Sequence, residues 1–294
     1  MEWRTDWGLQ ARMVLTMLLL GVLYVVFLGV LWYAFESLFV VVVFFGLFSL
    51  AQLFFSDKLA LWSMGAKEVS YEEYPELYRI VERLSQQADL PTPKIAVADT
   101  RTPNAFATGR SKRSAAVAVT TGLLDTLDED ELAGVVAHEL AHVKNRDVVI
   151  MTIASFLSTI AFLVVRWGWL FRGGRGRGQG SGGASIFVAI LASLVVWIVS
   201  FLLIRALSRY REYAADRGGA QITGNPAGLA AALLAIDDRM NTVPTEDLRA
   251  QAEMNAFFIV PIRVGAVGRL FHTHPSTEKR VDRLLAMERE LEGR

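Results

Sequence analysis

The 294-residue sequence contains no cysteine, only 4 histidines and 8 prolines, and no excess of either charge, with Lys+Arg and Asp+Glu each counting 30. Without cysteine there is no disulfide, no thiolate metal ligand and no cysteine nucleophile. A balanced charge argues against a nucleic-acid partner and against a trap for acidic substrates. Proline is missing from the longest apolar runs, so nothing there interrupts a helix.

Hydrophobic residues make up 53% of the chain and are clumped. Four stretches, 13–35, 38–55, 148–165 and 184–204, approach or exceed the roughly 20 apolar residues that cross a bilayer. The first is longer than the apolar core of a secretion signal, and no small-residue cleavage site follows it. The expectation is a multi-pass membrane protein with four transmembrane helices. Residues 1–56 and 148–204 form two membrane hairpins, and 57–147 and 205–294 form the two parts of one domain between them. Arg4, Arg12, Lys58, Lys67, Lys144, Arg146, Arg205, Arg209 and Arg211 flank the spans on that domain's side. The other side has Arg166, Arg172, Arg175 and Arg177, so the positive-inside rule puts the domain in the cytoplasm. The loop 172–183, RGGRGRGQGSGG, reads as a flexible linker.

In the first part of the domain, Leu77, Ile80, Val81 and Leu84 have helical spacing, with the helix ending before Pro91. PKIAVADT and SAAVAVTTGLLD read as strands, and Thr126 with Glu129 reads as a capping box opening the next helix. NPAGLAAALLAIDDRM and TEKRVDRLLAMERELEGR read as helices, so the fold class is mainly α with a small β-sheet, an α+β domain beside membrane helices.

The helix after Thr126 carries HELAH. His138 and His142 are four apart and share one helix face, where two imidazoles can take two corners of a zinc tetrahedron. Glu139, off the ligand axis, can take a proton from metal-bound water. A catalytic zinc has a third protein ligand. It could be a histidine of FHTHP or a carboxylate, of which Glu212 in SRYREYAAD is the better candidate. Glu212 follows the fourth apolar run at about the interval by which His142 precedes the third. Asp216, four residues on, can accept the free N–H of a ligating histidine.

HELAH, a later SRYREYAAD, NAFATG upstream and THPSTEKRVDRL near the C-terminus together resemble the HtpX-type membrane zinc metalloproteases, relatives of the CAAX prenyl proteases. The resemblance implies a zincin-like (gluzincin) fold and one Zn2+ on His138, His142 and Glu212, with Glu139 as the catalytic carboxylate. It further implies a catalytic His274 that stabilises the oxyanion, and substrate binding at Asn104 and Ala105, which lie beside an expected strand where an extended peptide can add by backbone pairing. The implied protein is a zinc metalloendopeptidase of the cell membrane whose site faces the cytoplasm. Its substrates are unfolded or damaged membrane proteins, and its role is quality control under stress. The competing expectation is a non-catalytic zinc-binding membrane scaffold or sensor.

Overall fold

The structure, a computed structural model, describes residues 6–34, 46–47, 54, 58–167, 182–242 and 275–293. The second expected span falls outside the described residues except at 46–47 and 54, and the Gly/Arg-rich loop except at 182–183. The chain divides into two compact units, one comprising Met1–Arg4, Phe55–Val148 and Arg211–Arg294, the other Thr5–Phe54 and Val149–Tyr210.

The first unit is built around a four-stranded sheet of β1 (Ala66–Glu68), β2 (Lys94–Ala98), β3 (Ala105–Thr108) and β4 (Ala116–Thr120). Their order is β1-β2-β4-β3, with the central pair parallel and both outer pairings antiparallel. All five residues of β4 are buried, the unbroken apolar character of a central strand. Two of these strands were not expected. β1 and β3 are three and four residues long, and AKE and AFAT carry too little β-propensity to announce themselves; the ladders of β2 and β4 hold them.

α2 (Pro75–Gln87) buries Leu77, Ile80, Val81 and Leu84, the stripe its spacing predicts. α3 (Glu129–Asn145) is buried continuously from Leu132 to Ala141. α6 (Pro226–Thr242) adds Leu229, Leu233 and Ile236, and α7 (Thr277–Glu292) adds Val281 and Leu284; one apolar core joins them to the sheet. The cap of α3 is two residues later than expected. Asp128, not Thr126, accepts from the Glu131 N–H at 2.9 Å, and Glu131 accepts in return from the Asp128 N–H at 3.1 Å. Thr126 instead donates its hydroxyl to the Gly122 carbonyl at 2.5 Å. Replacing Asp128 by Ala should destabilise the protein by about 1 kcal/mol, read as a lower melting temperature in detergent.

The second unit contains α1 (Trp7–Ala34), most of α4 (Asp147–Trp167) and most of α5 (Gly182–Thr223). Among the described residues these three helices are long and apolar enough to cross a membrane. α1 begins six residues before the apolar run because the Asp6 carboxylate accepts from the Leu9 N–H at 2.9 Å. Leu20, Phe27 and Leu31 pack against Ile160, Ala161 and Val196, while Val14, Leu18, Val22 and Val25 of the same helix are exposed. A helix apolar on all sides suits a lipid surround. Tyr24 donates to the Ala154 carbonyl at 2.6 Å and Ser200 to Ser158 at 2.9 Å, polar links that join helices where burial in lipid supplies no drive.

Candidate metal centre

α3 brings His138, Glu139 and His142 to the sheet, and α5 brings Glu212 and Asp216 to α3. The helices approach closely because Gly219 has no side chain: a Cβ there would lie 2.9 Å from the His138 backbone nitrogen. The two imidazole Nε2 atoms are 3.1 Å apart. Glu212 places one carboxylate oxygen 3.6 Å from His138 Nε2 and the other 3.5 Å from His142 Nε2. Tetrahedral zinc with bonds of about 2.0–2.2 Å would separate its ligand atoms by roughly 3.3 Å, so this triangle has the right size.

The imidazoles are also correctly oriented. His138 Nδ1 is 3.0 Å from Asp216 and His142 Nδ1 is 2.5 Å from Asp147. Each Nδ1 hydrogen is therefore directed to a carboxylate, and both Nε2 lone pairs converge with Glu212 on one point. Three electron-rich atoms so placed repel one another unless a cation lies among them. Burial opposes a charge on His138, but hydrogen bonds to Asp216 and Glu212 outweigh it and push its pKa up to about 9. A proton or a metal ion would answer the same demand, and the donor set fits zinc.

Asp147 reaches His142 through a turn. α3 ends at Arg146 in the left-handed conformation, φ +56°, and the chain resumes as α4 at Asp147. A non-glycine residue held there costs about 1–2 kcal/mol, which the ion pair of Asp147 with Arg211 at 2.9 Å helps to offset. Arg280, 1% exposed, holds Asp216 with two nitrogens, Nε at 2.9 Å and Nη2 at 2.6 Å.

Glu139 is 5% exposed and its carboxylate accepts from the Ala107 N–H at 2.7 Å. Among the described residues β3 pairs with β4 alone, and this N–H lies on the edge away from β4. Burial first of all raises the Glu139 pKa, against the lowering influence of His138 and His142. A cleft lined by Ala107, Thr108, Arg110, His142 and Arg146 opens beside the strand.

Of the expected site residues, the structure brings together His138, His142, Glu212, Glu139 and Asp216. Asn104 and Ala105 are buried at the start of β3, where Asn104 exchanges backbone and hydroxyl hydrogen bonds with Thr120 at 2.9 Å. His274 lies outside the described residues. Asp147, Arg211 and Arg280 were not foreseen as part of the site. The one available signal was Arg280 sharing a helix face with Val281 and Leu284, a charge on an apolar stripe.

A glutamate between two helix-borne histidines, a carboxylate from a later helix and a strand alongside thus meet at one centre. The chain belongs to peptidase family M48, whose profile matches residues 72–288. It is 53% identical over 291 residues to Protease HtpX homolog 2 of Methanosarcina mazei, spanning 99% of each chain. To Protease HtpX homolog of Moorella thermoacetica it is 52% identical over 295 residues, 99% of this chain and 98% of that one. Its fold resembles the crystal structure of S. mikatae Ste24p with a TM-score of 0.56 at 21% identity, covering 94% of this chain and 66% of that one. It is therefore a membrane-associated protease of the HtpX type.

Proposed function

We propose that the protein is a zinc-dependent endopeptidase of the cell membrane that hydrolyses unfolded or damaged membrane proteins at a site facing the cytoplasm. The observation that carries this reading is the convergence of His138, His142 and Glu212 beside a buried Glu139 that touches an edge strand. A zinc ion held by those three side chains would supply Lewis acidity toward the scissile carbonyl and make water acidic near neutral pH. Glu139 accepts the proton of the attacking water and delivers it to the leaving amide nitrogen, a task its raised pKa suits. An extended substrate adds to the edge of β3 that faces away from β4, the strand that begins at Ala105 after Asn104, through backbone pairing that tolerates many sequences. His274 shares the oxyanion charge.

The three apolar helices and the nine-against-four distribution of flanking cations support a multi-pass protein whose catalytic unit is cytoplasmic. Quality control follows from the resemblance to HtpX-type proteases and from a site that reads backbone more than side chains.

Metal removal tests the reading. Detergent-purified full-length protein should cleave an unfolded test protein, lose that cleavage in a zinc chelator, and regain it on adding zinc. Bound zinc without cleavage of any unfolded substrate would instead favour a zinc-binding scaffold or sensor, and cleavage indifferent to chelation would remove the metal from the mechanism.

A further inference from the structure

Each of the two histidines of the centre has a carboxylate behind it, and each carboxylate has an arginine behind it. His138 leads to Asp216 at 3.0 Å and on to the two-pronged grip of Arg280. His142 leads to Asp147 at 2.5 Å and on to Arg211 at 2.9 Å. The two arginines come from different elements. Arg280 is on α7, 64 residues from Asp216, whereas Arg211 is on α5 beside the ligand Glu212.

The charges around the centre explain why arginine stands at both ends. Glu139, Asp147, Glu212 and Asp216 are four carboxylates at 1–6% exposure, faced by two guanidiniums, Arg211 and Arg280, at 8% and 1%. The difference is two negative charges, which one divalent cation cancels. Without the arginines the four carboxylates would stand unbalanced and repel one another in a region with little water to screen them. Arginine is suited to this because it stays charged when buried and its planar fork fixes a carboxylate in two directions. Arg280 also approaches both ring nitrogens of His138 at 3.4 Å and Glu212 at 3.7 Å, so it borders the ligands themselves.

We propose that Arg211 and Arg280 are positioning residues for the metal centre: through Asp147 and Asp216 they hold both imidazoles with Nε2 inward and set how tightly the divalent ion is bound. This rests on the zinc reading above and extends it to residues that do not touch the metal.

The test measures zinc affinity by chelator competition and the visible absorption of the cobalt-substituted protein, on full-length protein in detergent. Variants are Arg280→Met, Arg280→Lys, Arg211→Met and Arg211→Lys, with the exposed Arg289→Gln as control. Removing a group bonded to a metal-bound histidine usually weakens metal binding by about 10–100-fold. The arginines act one contact further out and their loss also removes a repelling cation, so both Met variants are expected to lose affinity by more than twofold and up to about tenfold. The Lys variants should recover part of it, Arg211→Lys more than Arg280→Lys, because lysine reproduces a single contact but not a fork. The cobalt bands should shift in the Met variants and stay in place in Arg289→Gln. Where Arg280→Met does not fold, Arg280→Gln takes its place, keeping a polar reach to Asp216 without the fork or the charge, with a loss in the same direction expected. Folded variants whose zinc affinity and cobalt spectrum lie within twofold of wild type would overturn the proposal while leaving the zinc site intact. A wild-type protein that binds no divalent ion would overturn both.

Discussion

Glu139→Gln is expected to slow cleavage of an unfolded polypeptide by about 10²–10⁴-fold, the usual contribution of a positioned proton carrier, with bound zinc unchanged. The substitution is nearly isosteric, and the glutamine carbonyl can still accept from the Ala107 N–H, the contact made by Glu139 at 2.7 Å. The strand and helix should therefore keep their places. What disappears is the ability to take a proton and return it. Burial works against the charged carboxylate, so its replacement by a neutral amide should leave the melting temperature the same or higher. Single-turnover rates, zinc content and melting on the same preparation separate the possibilities. A rate within tenfold of wild type would deny Glu139 the proton-carrying role, and loss of zinc would make it a ligand.

Gly219→Val should injure the centre from behind. The added Cβ would meet the His138 nitrogen at 2.9 Å and its Cα at 3.1 Å, both backbone atoms that cannot swing aside. Relief comes only by moving α5 away from α3, which draws Glu212 and Asp216 from the histidines. Overpacking of this kind typically costs about 1–3 kcal/mol, and zinc affinity should fall with it. Gly224→Ala is the matched comparison. Gly224 has φ +69° but open space around its Cβ position, so its cost is one of backbone conformation alone, about 1 kcal/mol. It should lower the melting temperature without altering zinc affinity. Equal zinc affinity in the two variants would show that the helix spacing does not set the ligand geometry.

The parts of this centre that could be read in the sequence are those whose geometry is set by one helix. Two histidines four apart must share a face, and Asp216 must lie a turn beyond Glu212, whatever the rest of the chain does. The apolar stripe of α2 is legible for the same reason. Asp147 is different. Five residues after His142 it would point elsewhere on a continuous helix, and only the left-handed Arg146 returns it to the Nδ1 atom. Arg280 finds Asp216 across 64 residues of chain, a meeting that no local pattern encodes. β1 and β3 are strands because β2 and β4 hold their backbones, not because their own residues favour it. The α3 cap was misplaced because TLDEDE offers two overlapping boxes, and only the completed helix chooses between them.

The long separation between the two ends of the centre has a consequence in time. His138 and Arg280 are 142 residues apart, and the chain leaves the ribosome in order. At about 5–20 residues per second, roughly 7–28 s pass between synthesis of His138 and of Arg280. During that interval two apolar helices are made, and the arginine that grips Asp216 does not yet exist. Only after most of the polypeptide has emerged are both ends of the centre present in one molecule.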